Sequence, residues 1–206
     1  MSDMRDLELS LSSITPSPKV EGVHEKLIID ILVSYFRSKN FWVKRHVSLN
    51  FAWGNVLSEI DLLLLKDNKI YVVEVKSKKD KLLHAKKQLL NLMPYVDYIY
   101  LCMEKDDYIN NIDDSIGIIL YKNEMVNIIN EPKLINLDII KTDLLKLKRN
   151  CLLKIINRKI PKNLDKEHLC NIILLEHTQN KIKSYLRQIL LCDKDCNKCN
   201  LNIINW

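Results

Sequence analysis

Asp61, Glu74 and Lys76 are charged residues set inside two runs rich in apolar and β-branched residues, 57–65 and 70–76. Between the runs stands Lys66-Asp67-Asn68-Lys69, whose Asp and Asn tolerate positive φ and which therefore reads as a hairpin turn. A two-residue turn at Asp67-Asn68 and a four-residue loop over 66–69 give the same register, and that register sets Asp61 opposite Glu74. Facing side chains lie about 4.5 to 5.5 Å apart at Cβ, where like charges repel. A divalent cation bridging the two carboxylates would offset that repulsion. Lys76, two residues after Glu74, points to the same face, with Glu59 as its cross-strand neighbour. The competing reading is a set of cross-strand ion pairs on a solvated face. Consecutive apolar residues over 62–65 and 71–73 oppose it, because they imply a ribbon covered on both faces.

Other elements must hold this hairpin in place. Val23, Leu27, Ile28, Ile31, Leu32, Tyr35 and Phe36 recur at helical spacing and predict an amphipathic helix over 21–38, stopped by Asn40. A strand over 41–51 follows, then a turn at Trp53-Gly54-Asn55. After Lys76 comes a basic connector, with Asp80 as N-cap candidate of a helix over 81–93 that Pro94 ends. A strand over 95–103 completes a βαβ crossover, which should be right-handed. Segments 116–121 and 125–129 read as a closing hairpin. Beyond Glu131-Pro132 the pattern turns helical, over 139–157, 164–175 and 176–191. The sequence thus predicts an α/β fold, a mixed central sheet flanked by helices, in three parts: a flexible N-terminal arm over 1–20, a core over 21–130 and a basic helical region over 131–206.

The motifs carry a resemblance. Ile60-Asp61, followed thirteen positions after the Asp by Glu74-Val75-Lys76 on an apolar strand, resembles the PD-(D/E)XK nuclease superfamily, and the opening of the first helix, Gly22-Val23-His24-Glu25-Lys26-Leu27, is similar to its upstream acidic motif. The order of helix, strand and hairpin is most like that of archaeal Holliday-junction resolvases. The resemblance covers about 21–130, with Ile60 in place of the eponymous Pro. It implies a restriction-endonuclease-like core that hydrolyses DNA phosphodiesters with Mg²⁺ or Mn²⁺. Asp61, Glu74 and the Val75 carbonyl would hold the ion, Glu25 would complete the site, with Glu21 its rival, and Lys76 would orient or help deprotonate water. Gln88, on the following helix, would contact the site or the substrate.

Lys78, Lys79, Lys81, Lys86 and Lys87 flank the same site and could grip phosphates, although a charge run is usually a solvated face. Trp42 and Trp53 could stack a base; core packing is the plainer explanation. The chain has 206 residues and a formal charge of +6, and twelve Lys or Arg against four Asp or Glu over 141–190 give that stretch a surplus of eight. This favours a polyanion, DNA or RNA, or a homodimer contact. Cys192, Cys196 and Cys199 are spaced closely enough to share zinc or an iron-sulfur cluster, with Cys170, His177 or His168 as fourth ligand; otherwise they are tail thiols. The sequence shows no run apolar enough for a membrane span and no leader pattern, so an intracellular nuclease is expected, endonuclease chemistry included. The alternative from another class is a DNA-binding module that keeps the fold without catalysis.

Overall fold

The computed structural model describes residues 23–50, 56–76, 82–105 and 112–191. The first helix, α1 (Val23–Ser38), buries Ile28, Ile29, Leu32, Val33 and Phe36 along one stripe. Its end follows from Asn40, which takes a left-handed φ of 62°. The Phe41 amide then donates to the Phe36 carbonyl and the Asn40 amide to that of Arg37, the paired bonds of a Schellman stop. Strands β1 (Trp42–Asn50), β2 (Val56–Lys66) and β3 (Lys69–Lys76) form an antiparallel meander. Asp67 and Asn68 have φ of 49° and 57°, the pair of positive values that a type I′ hairpin requires.

Helix α2 (Leu82–Leu92) and a 3-10 turn at Met93–Tyr95 carry the chain to β4 (Tyr98–Met103), parallel to β3. Strand β5 (Gly117–Lys122) adds parallel to β4, and β6 (Met125–Asn130) returns antiparallel through a second turn with positive φ at Asn123 and Glu124. The result is a six-stranded mixed sheet in the order β1-β2-β3-β4-β5-β6. Strand four begins later than the sequence predicts, because Pro94 sits in the 3-10 turn.

Both faces of the sheet are covered. Val73, Val75, Tyr100 and Cys102 pack with α1, whereas Ile70, Val72, Ile99 and Leu101 pack with Leu89 and Leu92 of α2 on the other side. Ile60, Leu62, Leu63 and Leu64 are all solvent-free, as a strand buried on both sides must be. The helical residues after 131 join the α2-side core rather than building one of their own: Leu144, Leu152, Ile155, Leu169, Ile173 and Ile182 lie in the same apolar cluster as Val72 and Leu89.

These helices differ from expectation in two places. The predicted helix over 139–157 is two, α3 (Lys141–Lys146) and α4 (Arg149–Ile156). Leu147 and Lys148 are extended between them, so that Leu147 is buried while the Lys148 carbonyl receives the first amides of α4. No Gly or Pro marks this break. Helix α5 (Lys166–Glu176) starts at Asp165, whose carboxylate accepts from the His168 amide at 2.8 Å. His177 and Thr178 then separate it from α6 (Gln179–Leu191). No described helix is long and apolar enough to cross a membrane. The 1–20 arm, Trp53 and the cysteines 192, 196 and 199 lie outside the described residues. Trp42 is half exposed on edge strand β1, not packed in the core as the plainer sequence reading had it.

Candidate functional site

The site begins with a departure from regular pairing. Strands β2 and β3 pair from Lys66 opposite Lys69 to Leu62 opposite Val73, the register expected from the turn. One step further stand Asp61 and Glu74. On the other side of β2, pairing with β1 skips from Arg45 and Leu62 to Val47 and Ile60, and the intervening His46 has φ of 46°, unusual for a residue with a Cβ. Ile60 packs on the α2 side and Leu62 on the α1 side, although residues two apart on a regular strand share a face. The backbone therefore twists at Asp61.

The twist is matched by what the side chain does. Asp61 Oδ2 accepts the Val75 amide at 2.7 Å, so the carboxylate stands where a β2 carbonyl would otherwise bond β3. A strand residue presents its N–H and C=O to the same edge. The Val75 carbonyl therefore faces the β2 side as well, next to Asp61.

Glu74 lies on the α2 side, in alternation with Val72. It is fully buried, and Asp61 is 1% exposed. Glu74 Oε1 lies 2.5 Å from Lys76 Nζ, and Glu74 Oε2 accepts from Gln88 Nε2 on α2 at 3.1 Å. The Lys76 side chain remains 14% exposed, so its ammonium stands between a buried carboxylate and solvent. Asp61, Glu74, Val75, Lys76 and Gln88 thus come together at one end of the β2–β3 hairpin.

Two further residues stand at the same end of the sheet. Lys76 pairs with Met103 in β4, and the next residue, Glu104, receives His24 Nε2 of α1 at 2.6 Å, with the Glu104 side chain 6% exposed. Between these elements the Cys102 thiol is pushed up by burial, with the nearby Glu104 and Asp61 charges adding to the effect. A buried thiol held protonated in this way is unreactive. Neither His24 nor Glu104 was singled out from the sequence. The signal was the strand ending at Met103, but the parallel register that sets it beside Lys76 is not readable from one chain.

Glu25 is half-buried on the first turn of α1, next to His24. Among the described residues, no three His, Cys, Asp or Glu side chains group closely enough to enclose an ion by themselves. The donors offered at the hairpin are therefore two carboxylates and a backbone carbonyl. These are hard oxygen ligands, and Mg²⁺ is commonly held by one or two carboxylates with water and substrate oxygens completing its shell. The donor set fits such an ion.

Lys78, Lys79, Lys81 and Glu21 lie outside the described residues, as do the side chains of Glu59, Lys86 and Lys87. Of the fourth ligands considered for the cysteine cluster, Cys170 is fully buried in the α2-side core and its thiol is raised by burial, which disfavours the thiolate a metal needs. His168 Nδ1 lies 2.8 Å from Asp165 Oδ1.

No protein-family model matches the chain, and no curated protein does. Two solved structures resemble it in part. One is a protein of unknown function, SPO1766 from Silicibacter pomeroyi, with 14% identity, a TM-score of 0.43, and coverage of 53% of this chain and 72% of that one. The other is a protein of unknown function, AF1548, with 11% identity, a TM-score of 0.37, and coverage of 80% and 97%. Overlaps this distant carry no functional argument.

Proposed function

We propose that the chain is a metal-dependent nuclease with a restriction-endonuclease-like core, cleaving DNA phosphodiester bonds at the open end of the β2–β3 hairpin. The observation that carries this reading is the burial of Asp61 and Glu74, two carboxylates one ladder step past the last regular pair, with Lys76 reaching from Glu74 toward solvent. Keeping two carboxylates in an apolar sheet is costly unless they are compensated. A stability role alone gives no reason to keep two carboxylates buried at this strand end.

Each residue has a task under this reading. The Val75 amide fixes the Asp61 carboxylate, which together with the Val75 carbonyl would supply oxygen donors to the ion. Gln88 and Lys76 orient Glu74 from two sides. Lys76 donates to the attacked phosphate or steadies the hydroxide that approaches it. Mg²⁺ or Mn²⁺, when bound, supplies Lewis acidity and a bound water of lowered pKa. The basic surplus over 141–190 supplies general attraction for the polyanion. Branched or single-stranded DNA is the proposed target.

The test is cleavage of labelled duplex, single-stranded and four-way-junction DNA, with RNA counterparts, by wild type, Asp61→Asn and Lys76→Ala. Metal-dependent cutting that each substitution lowers by about a hundredfold or more supports the reading, the loss expected when one stabilising group is removed from a transition state. DNA binding without cutting in either metal would leave the binding-module alternative standing.

A further inference from the structure

A second site lies at the far end of β3. Lys69 opens that strand and Lys76 closes it, seven residues on, which at about 3.3 Å per residue is roughly 23 Å. Beside Lys69, the segment before β4, the extended chain after β6 and helix α6 enclose a cleft of about 540 Å³, its open mouth included. Its charged lining is Lys69, Lys183 and Arg187 against the one carboxylate of Asp97, a surplus of two positive charges. Asp97 serves two of the cations: Arg187 Nη2 donates to Oδ1, and Lys69 Nζ lies 3.6 Å from the same oxygen. Lys183 Nζ donates to a neutral group, Asn136 Oδ1, at 3.1 Å. Leu134 and Leu137, each about half exposed, form an apolar lip.

We infer that this cleft binds a phosphate group, from a nucleic-acid backbone or from a free nucleotide. Positive charge exceeds what Asp97 balances, and two of the cations are lysines on flexible stems able to turn from present partners to an oxyanion. The leucine lip offers an apolar surface for the sugar or base that accompanies the phosphate. The separation from Lys76 equals about seven steps of duplex at 3.4 Å, so one nucleic acid is long enough to touch both ends of β3. This inference is independent of cleavage at the hairpin.

The experiment uses the full chain in EDTA, so that binding is read without catalysis. Inorganic phosphate and adenosine 5′-monophosphate are titrated by calorimetry, and a fluorescein-labelled 20-base-pair duplex by anisotropy across a salt series. Lys69→Gln, Lys183→Gln and the double variant are compared with wild type, with Lys122→Gln on the β5–β6 turn as a control for general charge. Arg187 is left intact because it anchors α6 to Asp97, and thermal melts verify that each variant folds. A backbone site predicts that the double variant weakens duplex binding about tenfold or more and lowers the salt slope by about 1.8, two phosphate contacts at 0.9 each. A nucleotide site predicts tenfold or greater loss of monophosphate binding with duplex binding unchanged. The inference is overturned if the double variant matches wild type for every probe, if wild type binds none of them, or if Lys122→Gln produces the same loss.

Discussion

Asp97 is expected to be the costliest polar side chain to remove outside the hairpin. Its carboxylate, 6% exposed, receives the Ile70 amide at 2.9 Å on Oδ2 and Arg187 of α6 on Oδ1. Its backbone amide donates to the Ile70 carbonyl and its carbonyl accepts from Ile135, so one residue ties β3, the chain after β6 and the last helix together. Asp97→Ala strands the buried Ile70 amide, at about 1 to 3 kcal/mol. It also removes an ion pair whose Arg187 side chain is 31% exposed, adding about 1 kcal/mol after solvent screening. The sum, about 2 to 4 kcal/mol, is a large part of the roughly 5 to 15 kcal/mol that holds a domain folded. Asp97→Asn keeps an acceptor for Ile70 and loses the ion pair, so it should cost about 1 kcal/mol. Urea unfolding followed by circular dichroism at 222 nm gives each value, and a cycle with Arg187→Met isolates the pair. Equal costs for Asp97→Ala and Asp97→Asn, or a coupling near zero, would refute the assignment of Asp97 as both acceptor and ion-pair partner.

Gly117→Ala should destabilise by about 1 to 3 kcal/mol in a calorimetric scan, as overpacking does, because the new Cβ would stand 2.6 Å from the Tyr100 ring and 2.8 Å from the Pro132 backbone nitrogen. Asp165 is held below the usual carboxylate range by hydrogen bonds from the His168 amide and ring, and Glu176 by Arg158. A depressed folded pKa contributes stability above the unfolded value that is lost as pH falls through the folded one; melts in acid should thus decline less steeply for Asp165→Asn than for wild type. Cys102, buried and pushed up by its surroundings, should resist alkylation in the native protein and react only on unfolding, as peptide mapping after iodoacetamide would record.

Local chemistry made much of the molecule legible. Asp67-Asn68 announced a hairpin turn through their tolerance of positive φ, and that turn set the β2–β3 register, which holds from Lys66 and Lys69 as far as Leu62 and Val73, one step short of Asp61 and Glu74. Asn40 announced the end of α1 through its tolerance of positive φ. What was not legible depends on contacts between segments far apart in the chain. The parallel register of β3 with β4 brings Glu104 beside Lys76 and within reach of His24, eighty residues away, and no periodicity encodes that. The break at Leu147 likewise reflects tertiary burial, since the residues around it would continue a helix in isolation.

Asp61 bonds the Val75 amide as a backbone carbonyl would, so the side chain nearest the proposed chemistry is also a rung of the sheet. A lineage losing the activity would not be free to discard that residue. Asn could replace it first, keeping an oxygen for the amide while surrendering the charge, and a small apolar residue would follow only if the strand end were rebuilt. A descendant with Asn at this position beside intact Glu74 and Lys76 would be the fossil of such a retirement: a sheet still closed, and a cutter gone quiet.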